Sequence, residues 1–456
     1  MCGSEKMILE YDEIPHLCHI ELTYQCNQNC IFCYNPNRTM KEDTEKIDRI
    51  VQSVADSQIP HVYLIGGEPS LLPVRKINEY IEMLSHSSVT IVTNGVKLLE
   101  GVSSDLACFG VPLHGADAET HEFHTTNPGS FETVLNTVEY YVDYGFDVRC
   151  IPVLTGYNYN QMYDIIGLAA ELGMESIFVD RYEDGGIGAT RSSVYSQLKP
   201  TLEQFRIALD QVIKAKKDFT VFEGRVGFGT AIPYCIDTRM IEEDVVSNCG
   251  VGTYFCAINP NGDVRICNQS EIIFGNVLAE PLEVIWNKES INVMFRNLEW
   301  VNEPCKSCGL LCECVCGCKV DVNESDKFCI DYAVRNNFEP PKNLSELYEK
   351  KINEKMVDLG SYPDAYRVFR VNRYTKLTKK YEEKFLVTRY QTVKLNDAAL
   401  EIVECIIEKK MRRERDLIEE VKESVDEPDV RTFLTKLLHV GALDFLGAEN
   451  ASNHSR

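Results

Sequence analysis

Short apolar stretches alternate with amphipathic helical stretches about six times between residues 17 and 217, and this alternation limits the possible folds more than any other feature. The strand candidates are residues 17–23, 61–65, 89–93, 107–113, 147–154 and 176–181. Repeated strand and helix units build a parallel sheet covered by helices. The sequence therefore predicts an α/β fold, with ligands bound at the carboxyl ends of its strands.

Three cysteines follow the first strand candidate with the spacing C-x3-C-x2-C: they are Cys26, Cys30 and Cys33, and the aromatic Phe32 precedes the last. Three thiolates can hold a four-iron cluster and leave one iron without a protein ligand. The amine and carboxylate of an amino-acid-like molecule can chelate that open iron. Such a triplet also arises by chance, so the assignment depends on the motifs that follow.

Two strand ends supply those motifs. One strand candidate runs into Gly66-Gly67-Glu68-Pro69 and another ends in Val92-Thr93-Asn94-Gly95. Glycines after a strand allow the backbone to approach a ligand closely. With the cysteine triplet, these motifs resemble the radical S-adenosylmethionine (radical SAM) enzymes. The resemblance implies a partial (β/α)6 barrel of the TIM type and a SAM-binding 4Fe-4S cluster on the triplet. It also implies SAM binding by Gly66, Gly67, Glu68 and Asn94.

One segment departs from that family. Its members often carry Ser-Leu-Asp-Gly and then an Arg, whereas this chain reads Pro112-Leu113-His114-Gly115 and has no Arg as far as residue 131. The sequence therefore does not identify the partner of the SAM carboxylate. His114 is a candidate for the SAM pocket, and the alternative is a structural loop histidine.

A second group of cysteines holds more than half of the nineteen in the chain, between residues 235 and 329. Their spacing is Cys249-x12-Gly262-x4-Cys267, then Cys305-x2-Cys308-x5-Cys314-x3-Cys318, then Cys329. Such density in a cytosolic chain favours metal binding over disulfides, and a zinc site is the competing interpretation. The spacings, together with Gly275-Asn276-Val277 and Ile285-Trp286, resemble the SPASM extension of radical SAM enzymes.

The SPASM resemblance implies two auxiliary 4Fe-4S clusters. By order, Cys305, Cys308, Cys314 and Cys329 would hold one cluster, and Cys249, Cys267 and Cys318 the other. The second set needs a fourth ligand, for which Cys235 is the first choice, while an open site and Cys256 are the alternatives. Cys256 lies among apolar residues and is expected to be a core thiol. Cys312 and Cys316 receive no role, and the remaining cysteines on strand or helix patterns are expected to be buried.

The segment from about residue 365 to 446 is poor in cysteine and has its own pattern. Two short strands at 385–388 and 392–395 precede a helix at 398–409 capped by Asn396-Asp397, and two amphipathic helices follow at 417–424 and 430–438. The pattern predicts a small winged-helix (α+β) domain. It resembles the peptide-recognition element typified by the pyrroloquinoline-quinone peptide chaperone (PqqD-like), which binds a leader peptide as an extra strand. A packing or dimerisation unit and a DNA-binding domain are the alternatives.

These modules give a predicted division of the chain. Residues 1–230 form the radical SAM core, 231–335 the SPASM domain, 336–364 a helical linker, 365–447 the peptide-recognition domain and 448–456 a disordered tail.

A net charge of −23 over 456 residues argues against nucleic-acid binding. No apolar run spans a membrane and no export segment stands at the amino terminus, so we expect a cytoplasmic and, with this cysteine content, anaerobic enzyme.

The resemblance implies a maturase of ribosomally made precursor peptides. SAM would be cleaved reductively to a 5′-deoxyadenosyl radical, with electrons from a small donor such as ferredoxin or flavodoxin. That radical would take hydrogen from the peptide, and the auxiliary clusters would accept an electron as a thioether or carbon–carbon bond closes. The alternatives are an enzyme that matures a folded protein or a quinone or haem precursor, and a non-catalytic iron–sulfur electron carrier. Asn268, which stands where sulfatase-maturing relatives carry Asp, weakens a sulfatase assignment.

Overall fold

The computed structural model describes residues 9–450 apart from 10, 36, 42, 184–196, 321, 323–329, 336–339, 358–364, 373, 381–382 and 389–390. Its centre is a parallel sheet of eight strands. They are β1 (Leu17–Glu21), β2 (His61–Ile65), β3 (Ser88–Val92), β4 (Cys108–Val111), β5 (Val148–Cys150), β6 (Val153–Leu154), β7 (Ser176–Arg181) and β8 (Val226–Phe228). The order is β1-β2-β3-β4-β5-β7, and β6 and β8 both pair with β7. The predicted parallel α/β fold is confirmed.

The stretch predicted as one strand at 147–154 forms two, because β5 ends before Ile151 and Pro152. Proline has no backbone N–H and so cannot donate to a neighbouring strand. The other five candidates each form one strand of the sheet. β8 has no counterpart among the predicted strands, since its three residues are too few to show an alternating pattern.

In the described part of the barrel, six helices cover the outer face of this sheet: α1 (Thr44–Asp56), α2 (Val74–Met83), α3 (Ala118–Thr125), α4 (Ser130–Asp143), α5 (Met162–Glu171) and α6 (Leu202–Asp218). The Asp43 side chain caps α1 by accepting from two backbone amides. A capping box of Thr201 and Gln204 starts α6. The apolar faces of the helices pack on outward-facing strand residues such as Ile20 and Leu64, so inward-facing positions remain for polar groups.

The sheet continues beyond residue 230. Strand β9 (Phe255–Ile258) pairs parallel with β1, and β10 (Asp263–Arg265) and β11 (Gly275–Asn276) follow it antiparallel. The described residues of this region include the short helices α7 (Arg239–Glu242), α8 (Leu282–Trp286), α9 (Glu289–Ile291) and α10 (Leu311–Cys314). The cysteine-rich region is therefore joined to the barrel by backbone hydrogen bonds along β1.

The C-terminal region begins with α11 (Leu344–Val357) and has its own apolar core. β12 (Ala365–Val371) pairs with β16 (Leu443–Asn450), and β13 (Lys376–Lys380), β14 (Glu383–Val387) and β15 (Thr392–Lys394) form a three-stranded antiparallel sheet. The helices are α12 (Asp397–Ile407), α13 (Glu414–Val421) and α14 (Glu427–His439). The predicted helices and the α+β class are present, while the winged-helix assignment stays a prediction.

The three-stranded sheet lies against the amino ends of the barrel strands. The Phe385 ring contacts His16, which precedes β1, at 4.8 Å between centroids. Lys376 Nζ donates to the backbone oxygen of Ser87, which precedes β3. The cysteine triplet follows the carboxyl end of β1, so the two regions occupy opposite ends of the barrel. Across the described ranges, no helix has the length and apolar character needed to cross a membrane.

Candidate functional site

The cysteine triplet lies on the loop between β1 and α1, and backbone amides point at its sulfurs. The Gln28 amide donates to Cys26 Sγ at 3.5 Å and the Asn35 amide to Cys33 Sγ at 3.4 Å. Burial raises the pKa of Cys26 to about 11, against the opposing effect of the Gln28 amide. At neutral pH the thiol is therefore protonated until a metal binds and displaces the proton, as is general for thiolate ligands.

The loop is fixed to its surroundings by further hydrogen bonds. Arg38 donates from Nη2 to the backbone oxygen of Cys30 at 3.0 Å, and its own backbone oxygen accepts from the Cys26 amide at 3.1 Å. The Ile31 amide donates to the backbone oxygen of His124 in α3 at 3.0 Å. These contacts preorganise the triplet, so a cluster would bind without ordering the loop.

The Gly66-Gly67 turn packs directly on the start of that loop. A Cβ on Gly66 would lie 2.4 Å from the backbone oxygen of Thr23, and one on Gly67 would lie 2.1 Å from that of Gln25. The Gly67 and Glu68 amides donate to the same two oxygens at 2.6 and 2.9 Å. Only glycine permits this approach, and Gly66 also has a φ of +139°. The turn therefore sets the position of the cysteine loop relative to β2.

The Glu68 carboxylate is buried and accepts three hydrogen bonds. It accepts from the Ser70 amide at 2.9 Å, from Thr93 Oγ1 at 2.5 Å and from the Asn94 amide at 2.7 Å. Burial raises the pKa of Glu68, and these three donors oppose that shift. Glu68 thus joins the ends of β2 and β3 and acts as a positioning residue.

Asn94 completes a path back to the triplet. Its Nδ2 donates to Asn27 Oδ1 at 2.7 Å and lies 3.8 Å from Cys26 Sγ. The sequence predicted Gly66, Gly67, Glu68 and Asn94 as one group around SAM, and the structure brings all four to the cysteine loop. Their contact with SAM itself stays a prediction.

His114 is buried at the end of β4, with its ring edge against Phe32 at 4.6 Å between centroids. Its Nδ1 accepts from the Val153 amide at 3.2 Å, and its backbone oxygen accepts from Asn158 Nδ2 at 2.8 Å. Burial lowers the pKa of His114 well below its usual value, so the ring is neutral. These contacts support the alternative of a structural histidine beside the aromatic residue of the triplet, and a place for His114 in the SAM pocket stays a prediction.

Cysteines of the second group divide into two settings. Cys267 follows β10 at the inner side of the sheet. Cys256 on β9, in contrast, is in register with Cys18 on β1. The thiols of Cys18 and Cys256 are hydrogen-bonded to each other and fully buried. Cys256 therefore points into the hydrophobic core, as expected, and its thiol already has a partner. Cys329 lies outside the described residues.

Cys312, which received no role from the sequence, is disulfide-bonded. Within the described part of the chain, no three Cys, His, Asp or Glu side chains converge as a single metal ion requires. A mononuclear zinc site needs four such ligands at about 2.0 to 2.3 Å from the metal.

Comparison with known proteins agrees with this geometry. Residues 20–169 match the sequence profile of the Radical SAM superfamily, and residues 249–309 match that of an iron-sulfur cluster-binding domain called SPASM. Mycofactocin maturase MftC of Mycobacterium ulcerans is 30% identical over 323 residues, which cover 65% of this chain and 81% of that protein.

This chain belongs to the radical SAM superfamily.

Two further similarities are to a synthase and to the crystal structure of a peptide complex. An AdoMet-dependent heme synthase of Methanosarcina barkeri is 25% identical over 358 residues, which cover 69% of this chain and 96% of that protein. The crystal structure of Streptococcus suis SuiB bound to precursor peptide SuiA matches with a TM-score of 0.52 and 19% identity, over 72% of this chain and 77% of that one. The latter match supports the fold.

The inner face of the radical SAM barrel carries a polar network that the sequence did not reveal. Asn268, directly after Cys267, donates from Nδ2 to Glu21 Oε1 at 2.9 Å, and its Oδ1 lies 2.7 Å from His19 Nδ1. Arg265 Nη2 pairs with Glu21 Oε2 at 2.6 Å. The side chains come from β1 and from a turn about 250 residues later, so no local pattern predicts them. Asn268 was noted in the sequence only as a departure from Asp.

The same network reaches across the barrel. His19 stacks on Tyr63 at 4.9 Å between centroids, and Arg149 Nη1 donates to Tyr63 Oη at 2.6 Å. Burial lowers the pKa of His19 to about 4, so its ring is neutral at physiological pH. The barrel of this enzyme is therefore lined by histidine, tyrosine and arginine side chains below the cysteine loop.

Proposed function

We propose that this radical SAM enzyme modifies a ribosomally made precursor peptide. The observation that carries the proposal is the bond between Asn268 and Glu21, which brings Cys267 of the cysteine-rich region to the inner face of the barrel. A substrate radical formed in the barrel would lie close to an electron acceptor. This arrangement suits a reaction that removes hydrogen and then an electron.

The ligand assignments belong to the same proposal. Cys26, Cys30 and Cys33 would hold the SAM-binding 4Fe-4S cluster, and the later cysteines two auxiliary clusters. When bound, the first cluster supplies the electron that cleaves SAM to a 5′-deoxyadenosyl radical. The protein's own part is to fix the triplet through Arg38 and the glycine turn, and to hold Asn94 through Glu68. The predicted domain boundaries are kept as part of this proposal.

A peptide substrate is supported by relatives and by the C-terminal region. The MftC relative is named for maturing mycofactocin, and the SuiB structure contains a precursor peptide. The three-stranded sheet of β13, β14 and β15 has the antiparallel form that can accept a further strand from a leader. We propose that residues 365–447 bind the leader, and that ferredoxin or flavodoxin supplies electrons.

The side-chain amide of Asn268 bears on which reaction the enzyme catalyses. An amide does not act as a general base, and both of its polar atoms already bond to β1 side chains. A step that needs a carboxylate at this position is therefore unfavourable, so we favour crosslink formation over oxidation of a sulfatase residue.

A second candidate is the maturation of a cofactor precursor, which the likeness to an AdoMet-dependent heme synthase favours. One experiment separates the two. The reconstituted full chain is incubated anaerobically with SAM, a reductant and the peptide encoded by a short neighbouring reading frame, with and without the leader part. Mass spectrometry then follows both the peptide and 5′-deoxyadenosine.

A peptide that loses pairs of hydrogens, with matching 5′-deoxyadenosine, is the expected result, and the leaderless peptide should be modified far less. The C26A/C30A/C33A variant is the control and should form no 5′-deoxyadenosine. If 5′-deoxyadenosine forms while both peptides stay unchanged, the radical chemistry stands and the peptide proposal fails in favour of the second candidate.

A further inference from the structure

Asp180 is the last residue but one of β7, and its side chain faces the interior of the barrel. Val179 beside it is fully buried in the hydrophobic core, and side chains along a strand alternate between its two faces. Phe178, which shares the face of Asp180, lies inside the barrel, where the Arg149 guanidinium stands 4.7 Å from the centre of its ring. Asp180 is two residues further along the strand, so it lies about 7 Å nearer to the end of the barrel that carries the cysteine loop.

The Asp180 carboxylate borders an internal space. The residue is half-buried, so part of it remains accessible. Burial nevertheless raises the pKa of its carboxyl to about 6, against the opposing hydrogen bond from Thr230. A residue that is deep in the molecule and still partly accessible faces a cavity rather than packed side chains. Because Asp180 points inwards, this cavity is the interior of the barrel.

The carboxylate is held by one long hydrogen bond, and the backbone leaves room for it. Thr230 Oγ1 lies 3.3 Å from Asp180 Oδ1 and 3.4 Å from the backbone oxygen of Arg181, so one hydroxyl hydrogen is shared between two acceptors. A Cβ on Gly229 would lie 2.4 Å from Asp180 Oδ1, a distance at which the carboxylate would have to move. The absence of a side chain at Gly229 therefore allows the carboxylate to keep its place.

Three other carboxylates near the carboxyl ends of the strands have stronger partners. Glu21 and Glu183 each form an ion pair with a buried arginine. Glu68 accepts three hydrogen bonds. Proton transfer to any of these groups would break an ion pair or a hydrogen bond to a charged acceptor. Asp180 has no ion pair in the described part of the chain, so it can take up a proton with little loss of other contacts.

We propose that Asp180 accepts the proton that the precursor peptide loses as its crosslink closes. The inference rests on the proposed function. One hydrogen leaves the first peptide residue as an atom and goes to the 5′-deoxyadenosyl radical, and a second leaves the partner residue as a proton and goes to Asp180. The new bond joins the two residues, and the electron left over goes to the electron acceptor of the proposed function. Asn268 has an amide that does not take up a proton, so this task falls to a group elsewhere in the barrel.

Asp180→Asn tests this role, because an amide of the same shape does not accept a proton. The reconstituted full-length chain is incubated anaerobically with SAM, a reductant and the peptide of the neighbouring reading frame, deuterated at its carbon positions. The variant should form the crosslinked product at least about 100-fold more slowly, while 5′-deoxyadenosine that carries deuterium from the peptide should still form. Asp164→Asn, at an exposed position on α5, is the matched control and should behave as the parent chain.

A second variant separates proton transfer from a structural role. Asp180→Ala leaves space for a small carboxylate. Added formate should therefore restore part of the crosslinking in Asp180→Ala and none in Asp180→Asn. The iron content and the thermal unfolding temperature of both variants should match those of the parent chain.

Crosslinking by Asp180→Asn at the parent rate overturns the inference. Loss of deuterated 5′-deoxyadenosine together with the product also overturns it, since Asp180 would then be needed before the proton leaves. If Asp180→Asn does not fold, the Asp180→Ala variant decides, and a failure of formate to restore crosslinking contradicts the role. If the parent chain forms 5′-deoxyadenosine and leaves the peptide unchanged, the proposed function fails and this inference falls with it.

Discussion

Arg181 Nη2 and Asp331 Oδ2 lie 2.5 Å apart in a fully buried ion pair that joins the last strand predicted from the sequence to the end of the cysteine-rich region. Glu183 accepts from the same guanidinium, and Lys199 lies 3.5 Å from Glu183. Asp331 is two residues from Cys329 and also caps the turn at Ala333. The pair therefore fixes the position of a segment that follows a predicted cluster ligand.

Replacing Arg181 tests this role. Arg181→Met leaves two carboxylates buried without their main cation, and breaking a buried pair in this way costs about 3 to 5 kcal/mol. We expect the free energy of unfolding to fall by about that amount in urea titrations. The triple variant R181M/E183Q/D331N removes all three charges and should recover most of the loss. An R181M protein as stable as the parent would show that the pair contributes little.

Replacing Glu68 tests the positioning of Asn94. Glu68→Gln presents an NH2 group where one of three buried donors needs an acceptor, and an unsatisfied buried donor costs about 1 to 3 kcal/mol. We expect 5′-deoxyadenosine formation to fall about tenfold or more while the iron content stays unchanged. Glu82→Gln, at an exposed position just before the end of α2, is the control. Loss of iron in the Glu68 variant would contradict a role limited to positioning.

Replacing Cys256 tests its separation from the clusters. The Cys256 thiol is hydrogen-bonded to the Cys18 thiol in the hydrophobic core. Cys256→Ala should therefore leave the iron content and the electron paramagnetic resonance spectrum of the reduced protein unchanged. Removing one buried sulfur should lower the free energy of unfolding by about 1 kcal/mol. Cys267→Ala, in contrast, should change the spectrum. A spectral change in the Cys256 variant would restore it as a candidate ligand.

The pH dependence of stability should reflect His61 at the amino end of β2. Burial is the main cause that lowers its pKa to about 4; a hydrogen bond to the Gln391 backbone opposes this shift, and the charges of His16, Arg149 and Lys376 add to it. Between pH 6.5 and 4 the unfolded chain takes up a proton that the folded chain does not, so stability is full above pH 6.5 and falls as the pH decreases. The contribution is about 1.4 kcal/mol per pH unit.

Thermal or urea unfolding between pH 7 and 5 measures this slope. His61→Gln should reduce the slope by about 1.4 kcal/mol per pH unit, whereas His86→Gln, at an exposed position, should leave it unchanged. His61 faces Gln391 and Lys376 of the C-terminal region. We therefore expect unfolding at low pH to begin at the contact between the barrel and the C-terminal region. An unchanged slope in the His61 variant would show that other groups control the acid transition.

Part of this protein follows from local sequence. The period of the apolar residues placed five of the six predicted strands correctly, and Asn396 and Asp397 marked the start of α12. The glycine turn and the cysteine triplet were recognisable because each is a contiguous motif. These features depend on backbone geometry and side-chain pattern over a few residues, and such information is present in the sequence directly.

Tertiary structure decided the rest. The pairing of β9 with β1, the hydrogen bond of Tyr234 to Glu313, and the ion pair of Arg181 with Asp331 all join residues that are more than 70 positions apart. A cysteine or an arginine has the same local pattern whichever distant partner it meets. The choice of partner depends on how the sheet closes and which groups become buried together, because burial makes an unpaired polar group unfavourable. Sequence thus determined the kind of chemistry, and folding determined which residues share it.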